Sequence, residues 1–310
     1  MINKNQKTVI FRLLYLVFFV LLIVALLSLT KDFKSSVDLI KHSNKSFLFL
    51  ILLFSFSNFA VAAYSYKKLS FHPQKLIKST IVQFAANTMN RILPAGIGAL
   101  GTLYDFLVKS KNTKTQALAL VAINNILGLI AGVLTLLFLV VIGNFSAITN
   151  LHLKFINIIY AALILIFIVF ANFLLYKKVK RFNLFLKDLL KQLITFKDRK
   201  SNLALAFAAQ LILNVSNVLC LYFASRALGI HINIADIAIS YNFAVLFGSL
   251  IPAPGGVGSV DAGLVAILVI FGSTLPQAVS ISIIFRVFNM WVPFIVGLPA
   301  IFYARNKKYI

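Results

Sequence analysis

The chain has 310 residues, of which 61% are hydrophobic and 12% are charged, and its mean hydropathy is +0.96. A soluble domain is closer to half apolar and a quarter charged, so this composition predicts an integral membrane protein and leaves no room for a separate soluble catalytic domain. The net charge of +23 would favour nucleic acid in a soluble protein. Here most basic residues flank apolar segments, where they set orientation and contact anionic lipid headgroups, so we expect no nucleic-acid partner.

Six apolar stretches are long enough to cross a bilayer as continuous helices, which takes about 20 residues. In chain order they lie at 12–29, 47–66, 115–142, 155–176, 203–224 and 278–303. The first resembles the core of a signal peptide, but no cleavage site of small residues follows it, so we expect it to be retained. These stretches predict an all-α polytopic membrane protein, with one integral membrane domain over 1–310.

Two further apolar segments are interrupted by residues that break helices. The segment 79–108 is broken at Pro94, and the segment 234–271 is broken at Pro252 and Pro254. Proline removes a backbone donor, and backbone groups freed inside hydrocarbon need partners from protein or trapped water. Because such a break is costly, it usually marks a binding or transport site.

Loop charges orient these segments, because loops rich in Lys and Arg stay in the cytoplasm. The connection 177–200 carries nine basic residues and is predicted to be cytoplasmic, whereas 143–153 carries none and is predicted to be external. Both termini are then cytoplasmic, and we expect the chain in the cell (inner) membrane. The same rule predicts a re-entrant hairpin at 79–108 that enters from the cytoplasm and a second at 234–271 that enters from outside.

Each broken segment lies between one full span before it and one after it, in opposite orientation. This order predicts an inverted repeat of 47–142 and 202–304, with a site near the midplane where the repeats meet. Eight segments that all span the membrane are the alternative. The basic linker 177–201 carries apolar residues at helical spacing. This pattern is typical of an amphipathic helix lying on anionic lipid, and a cap on the cytoplasmic end of the bundle is the other interpretation.

Charged residues inside the apolar segments are the candidates for a site. Asp105, Asp261, Arg91 and Arg286 fall at membrane depth, where a charge normally faces a cavity or an opposite charge. One interpretation is an ion pair that locks the bundle. The other is an aqueous cavity in which an arginine binds a phosphate through its planar fork. Asp105 is close to Lys109 and fits a position at the interface.

The glycine-rich run after the second break could bind an anion through free backbone N–H groups at the start of the following half-helix. Close helix packing by small residues is the alternative for the same glycines. The chain contains neither residues at the spacing of metal ligands nor a nucleophile–base pair, so we expect no catalytic residue, metal or cofactor. The candidate substrate-binding residues are Arg91, Pro252, Pro254, Gly255, Gly256, Gly258, Ser259, Asp261, Arg286 and Asn289.

The run P-A-P-G-G-V-G-S-V-D-A-G, which begins at Pro252, resembles the lysylphosphatidylglycerol synthase transmembrane region, also called the flippase-like integral membrane family. The family pattern is P-x-P-G-G-[IV]-G-x-x-E-A, and Asp261 stands where it has Glu. The earlier run L-P-A-G-I-G-A-L-G is weakly similar to the family's P-G-R-x-G-E turn. Ala95, Gly96 and Ala99 stand there in place of the family's Gly, Arg and Glu.

The resemblance implies a protein that moves lipid between leaflets, with an anionic or aminoacylated phospholipid or a polyprenyl-linked lipid as cargo. In bifunctional relatives a soluble acyltransferase-like domain makes the aminoacyl lipid, and we expect this chain not to be an enzyme. The alternatives are a small-solute or ion transporter and a non-transporting membrane subunit of a lipid-modifying system. The expected partners are anionic membrane lipids, a separate lipid-modifying enzyme and a second copy of the chain.

Overall fold

The computed structural model describes residues 38–72, 74–93, 96–142, 187, 191, 196–250 and 258–310. Regular structure in these residues is entirely helical. The helices are α1 (Lys45–Leu69), α2 (Leu76–Ile92), α3 (Ile97–Lys109), α4 (Lys114–Ile142), a 3₁₀ turn (Phe196–Arg199), α5 (Lys200–Ala227), α6 (Ile234–Leu250), α7 (Ser259–Ile270), α8 (Leu275–Arg286), a π-helical turn (Val287–Trp291) and α9 (Val292–Asn306). The predicted spans 12–29 and 155–176, and most of the linker 177–201, lie outside the described residues.

Four helices of the described part are long and apolar enough to cross a membrane. They are α1, α4, α5 and the continuous helix formed by α8, the π-helical turn and α9, and they run for 25 to 32 residues. At 1.5 Å per residue they are about 37 to 48 Å long, against a hydrocarbon core of about 30 Å. They confirm the helices predicted at 47–66, 115–142, 203–224 and 278–303. The described part of the chain is therefore all-helical, with the spans expected of a polytopic membrane protein.

Both interrupted segments form a pair of shorter helices with a break between them. Helix α3 begins after Gly96, whose φ of 75° favours glycine, and α7 begins after Gly258, whose φ is 88°. A Cβ added at Gly98 would collide with the backbone of Met89, and one added at Gly248 would collide with Val260. Each pair therefore folds back on itself as a helical hairpin, α2–α3 and α6–α7. Whether the hairpins are re-entrant or spanning stays a prediction.

The starts of α3 and α7 correspond to each other through Gly96 and Gly258, since both are N-cap residues with positive φ. The order of span, broken pair and span occurs twice, first in α1 to α4 and then in α5 to α9. This order is the one that the inverted repeat 47–142 and 202–304 requires. The opposite orientation of the two halves stays a prediction.

The two halves contact each other along α1 and α5 and along α2 and α9. The sulfur of Cys220 on α5 lies 3.7 Å from the carbonyl oxygen of Ile51 on α1. On the other side of the bundle, a Cβ added at Gly297 of α9 would collide with Thr88 of α2 and lie 2.8 Å from the carbonyl oxygen of Phe84. Glycine thus lets α9 approach the backbone of α2, and this contact brings the last span beside the first hairpin.

Two apolar clusters occupy opposite ends of α1. One contains Ile51 together with buried side chains of α5 to α8, and the other contains Leu69 together with buried side chains of α2 to α5. The residues halfway along α1 lie between the clusters, and they include Asn58. Phe196, from the described end of the basic linker, is buried in the second cluster. That end of the linker therefore contacts the bundle.

Candidate functional site

The last span changes from α-helix to a π-helical turn at Val287–Trp291. Pro293 follows the turn and has no backbone N–H, so the carbonyl group of Asn289 loses its normal α-helical partner. The N–H of Val292 instead donates to the carbonyl oxygen of Val287, five residues earlier. Such π-helical turns are rare and often occur at functional sites. This turn carries Asn289 and directly follows Arg286.

An ion pair between Asp261 and Arg286 joins α7 to α8. One carboxylate oxygen of Asp261 accepts a hydrogen bond from the backbone N–H of Gly258 at 3.0 Å. The other accepts from the hydroxyl of Ser282 at 3.3 Å and from Nε of Arg286. The side chains of Arg286 and Asp261 are 14% and 27% exposed. Asp261 therefore caps the start of α7 and holds Arg286 at the same time.

Arg91 lies in the last turn of α2, beside this ion pair. Its Nη2 donates to Oδ1 of Asn87 at 3.4 Å, and its guanidinium lies within electrostatic range of both Arg286 and Asp261. Two guanidinium groups and one carboxylate sum to a formal charge of +1 for this cluster. A positive cluster inside an apolar bundle attracts an anion. We refer to Arg91, Asp261 and Arg286 as the charged cluster.

A cavity of about 280 Å³ lies beside the charged cluster, between α1, α2, α3, α5 and the π-helical turn. We name it the amide cavity, because six of its lining side chains are amides. The polar lining residues are Ser55, Asn58, Gln83, Asn87, Asn90, Arg91, Asn217 and Asn289, and apolar side chains such as Phe59 and Leu103 complete the wall. Arg91 belongs to both the cavity and the charged cluster, so the two features form one site.

Asn217 of α5 connects three elements of this site. Its Oδ1 accepts hydrogen bonds from Nδ2 of Asn58 at 3.3 Å and from Nδ2 of Asn289 at 3.0 Å. Its own Nδ2 donates to the carbonyl oxygen of Leu213 at 2.8 Å. Because the Asn58 contact comes from the first half of the chain and the Asn289 contact from the second, Asn217 lies where the halves meet.

A second cavity, of about 350 Å³, lies on the other side of α5, against α4 and α6. It shares Leu213 and Asn217 with the amide cavity, so we name it the adjoining cavity. Its other polar lining residues are Asn125, Gln210, Asn214, Tyr241 and Asn242. Asn214 donates to Asn242 at 2.7 Å across it. Polar side chains thus continue past Asn217 into the interior of the described bundle.

The structure brings together four of the residues selected from the sequence, namely Arg91, Asp261, Arg286 and Asn289. Gly258 and Ser259 lie at the start of α7, and Ser259 is 8% exposed. Pro252, Pro254, Gly255 and Gly256 lie outside the described residues.

Asp105 pairs with Lys109 at 3.0 Å, with both side chains exposed. Its position at the membrane interface stays a prediction. Among the described residues, no three His, Cys, Asp or Glu side chains approach closely enough to hold a metal ion.

Sequence reasoning missed Ser55, Asn58 and the central position of Asn217. Each is a polar residue within a predicted span, and a single amide in a membrane helix more often bonds a neighbouring helix than a ligand. The signal that could have found them is their depth, since Asn58 and Asn217 both lie near the middle of their helices.

Two comparisons with known proteins bear on this site. The family described as the lysylphosphatidylglycerol synthase TM region matches residues 9–297. A UPF0104 membrane protein of Methanothermobacter thermautotrophicus is 29% identical over 102 residues, which cover 33% of this chain. That aligned segment spans 30% of the relative's own length. The family match covers α1 to α8, the π-helical turn and the start of α9, and therefore contains the whole site.

Proposed function

The chain belongs to the family of the lysylphosphatidylglycerol synthase TM region, and we propose that it moves a lipid with a phosphate-containing headgroup between the two leaflets of the membrane. The cargo classes are an anionic or aminoacylated phospholipid and a polyprenyl-linked lipid. The observation that carries the proposal is the charged cluster beside the amide cavity, within a bundle that exposes large apolar side chains such as Phe49, Ile212 and Phe302.

The charged cluster supports phosphate binding through its chemistry. A guanidinium group donates parallel hydrogen bonds to two oxygens of a phosphate, and such bonds are stronger in a site from which water is excluded. Nε of Arg286 donates to Asp261, and this bond fixes the orientation of the guanidinium relative to α7. We assign phosphate contact to Arg91 and Arg286, positioning to Asp261 and headgroup contact to Asn289. The assignment involves no covalent chemistry.

The position of the site supports a path across the membrane. Asn58 and Asn217 lie near the middle of long apolar helices, at the depth where a headgroup meets its highest energy in pure lipid. Acyl chains would remain against the apolar exterior while the headgroup passes through the polar interior. We propose that the hairpins α2–α3 and α6–α7 enter from opposite faces of the cell membrane and that both termini are cytoplasmic.

The test is lipid movement in vesicles. The purified chain is reconstituted with fluorescent phosphatidylglycerol, and bleaching of the outer leaflet by dithionite reports how fast the inner lipid becomes accessible. We expect Arg286→Ala to slow lipid movement at least about tenfold, because the lost contacts are charge-assisted. Asp105→Ala is the matched control, since it also breaks an Asp–basic pair but outside the site. Equal lipid movement in empty vesicles and in vesicles containing the protein would refute the proposal.

A small-solute transporter is the second candidate, and the size of the amide cavity favours it. At about 280 Å³ the cavity is close to the lower end of the range for small-molecule pockets, about 300 to 1,000 Å³. This candidate predicts uptake of a soluble anion into vesicles while fluorescent lipid stays in its leaflet. The same vesicles can be tested for both activities, so the two candidates are separated in one preparation.

A further inference from the structure

We infer that the site selects a headgroup that is rich in hydroxyl groups and lacks a free amine, such as a glycerol, inositol or sugar phosphate. This selectivity rests on the proposed function, because it requires the headgroup to occupy the amide cavity. It narrows the proposed cargo by removing the aminoacylated class. Three features of the site carry it: the amide chemistry of the walls, the position of the carboxylate, and the extension of polar wall into the adjoining cavity.

The walls of the amide cavity match hydroxyl groups. A side-chain amide presents both donors and an acceptor, and a hydroxyl group likewise donates and accepts. Four lining residues carry a buried polar atom with no hydrogen-bond partner among the described residues, and these atoms are Ser55 Oγ, Asn58 Oδ1, Asn87 Nδ2 and Asn90 Oδ1. Buried polar atoms without partners are rare in folded proteins. Small rotations of these side chains would offer both donors and acceptors to a polyhydroxyl group.

Carboxylates are absent from the described lining of both cavities. The carboxylate of the charged cluster, Asp261, already receives hydrogen bonds from Gly258, Ser282 and Arg286 on its two oxygens. An ammonium group in the cavity would therefore gain no ionic partner and would be repelled by the net positive cluster. The phosphate of the same headgroup would be attracted by that cluster. The charge pattern thus favours a phosphate and disfavours an amine.

The adjoining cavity provides room for a headgroup larger than glycerol. It contains amides from α4, α5 and α6 and the ring of Tyr241, and Asn217 lies in the walls of both cavities. With volumes of about 280 and 350 Å³, each cavity is of the size that accepts a small molecule. A sugar or inositol ring could exchange hydrogen bonds with the Asn58–Asn217–Asn289 chain as it passes from one cavity to the other.

The experiment is a binding competition on the full chain in detergent. Fluorescent phosphatidylglycerol is displaced by phosphatidylinositol, phosphatidylglycerol, phosphatidic acid, lysyl-phosphatidylglycerol or soluble glycerol 3-phosphate. We expect phosphatidylinositol and phosphatidylglycerol to compete about tenfold better than phosphatidic acid, which lacks the hydroxyls, and better than lysyl-phosphatidylglycerol by at least the same factor. This comparison uses the wild-type chain, so it needs no variant to fold.

Asn87→Asp tests the charge pattern directly. The new carboxylate lies beside Arg91, which already donates to Asn87 at 3.4 Å, so it lowers the charge of the cluster from +1 to zero. We expect the preference for phosphatidylglycerol over lysyl-phosphatidylglycerol to fall at least about tenfold. Asn44→Asp is the matched control, because Asn44 is an exposed N-cap of α1 where Asp is equally suitable.

The outcomes separate this inference from the proposed function. The inference is overturned if the wild type binds lysyl-phosphatidylglycerol as tightly as phosphatidylglycerol, or more tightly. It is also overturned if phosphatidic acid competes as well as phosphatidylglycerol. An unchanged preference in a folded Asn87→Asp variant also overturns it. Lipid movement in vesicles could persist in all these cases. Glycerol 3-phosphate that competes as well as phosphatidylglycerol would instead support the headgroup chemistry while contradicting a lipid as its source.

Discussion

The ion pair between Asp261 and Arg286 can be tested as a stabilising contact and as part of a binding site in one set of variants. The set consists of Asp261→Asn, Arg286→Met and the double variant. Each single variant leaves one member without its opposite charge, and the double variant removes both charges. If the pair only joins α7 to α8, the double variant regains both stability and activity. If Arg286 binds phosphate, the double variant regains stability alone.

The expected magnitude follows from the burial of the pair. Removing one member of a fully buried pair costs about 3 to 5 kcal/mol, and the remaining charge causes most of that loss. Both side chains here keep some exposure, at 14% and 27%, so we expect each single variant to lose about 2 kcal/mol of the free energy of unfolding. The double variant should recover more than about half of this loss, since the stability effects of substitutions at contacting residues do not add. Lipid movement should stay at least about tenfold slow in the double variant.

Unfolding can be followed through Trp291, which is the single tryptophan of the chain. It lies at the end of the π-helical turn, 49% exposed, with its ring 6.0 Å from that of Phe294. Its emission therefore reports on the region that adjoins Arg286. The unfolding midpoint in denaturant and the rate of lipid movement are measured on the same four proteins. A double variant that moves lipid at the wild-type rate would refute a binding role for Arg286.

Three further predictions concern the surroundings of the site. Gly297→Ala should lower thermal stability by about 1 to 3 kcal/mol, because the new methyl group forces α9 away from Thr88. Gly101→Ala is the control: a Cβ added there meets nothing within 4 Å, so the melting temperature should stay unchanged or rise. Pro293→Ala should restore an α-helical bond to Asn289 and shift the tryptophan emission maximum. Asn217→Leu should slow lipid movement, measured by dithionite bleaching, because two amides lose their acceptor.

Much of the helical framework could be predicted from local sequence. Long apolar runs specify α1, α4, α5 and the last span, because no other backbone satisfies its hydrogen bonds in lipid. The breaks before α3 and α7 follow from proline and glycine. The sequence also indicates that Arg91, Asp261 and Arg286 each face a partner or a cavity, because they fall at membrane depth, but it does not indicate which of them meet.

The cavities could not be predicted, because their walls depend on how helices rotate against each other. Asn58 and Asn217 are 159 residues apart, and nothing in either local sequence fixes which face of α1 meets α5. The correspondence between Gly96 and Gly258 shows only in the backbone, where both are helix N-caps with positive φ. The π-helical turn shows in sequence only as Pro293.

The contact between Gly297 and Thr88 has a mechanical consequence. Because the backbones of α9 and α2 approach so closely there, sliding one helix along the other would drive the Thr88 side chain into the backbone of α9. The lower half of the last span is therefore held in register with the first hairpin. Its upper half, α8, is tied to the second hairpin through Asp261. The π-helical turn lies between these two attachments, so one helix carries contacts to both hairpins.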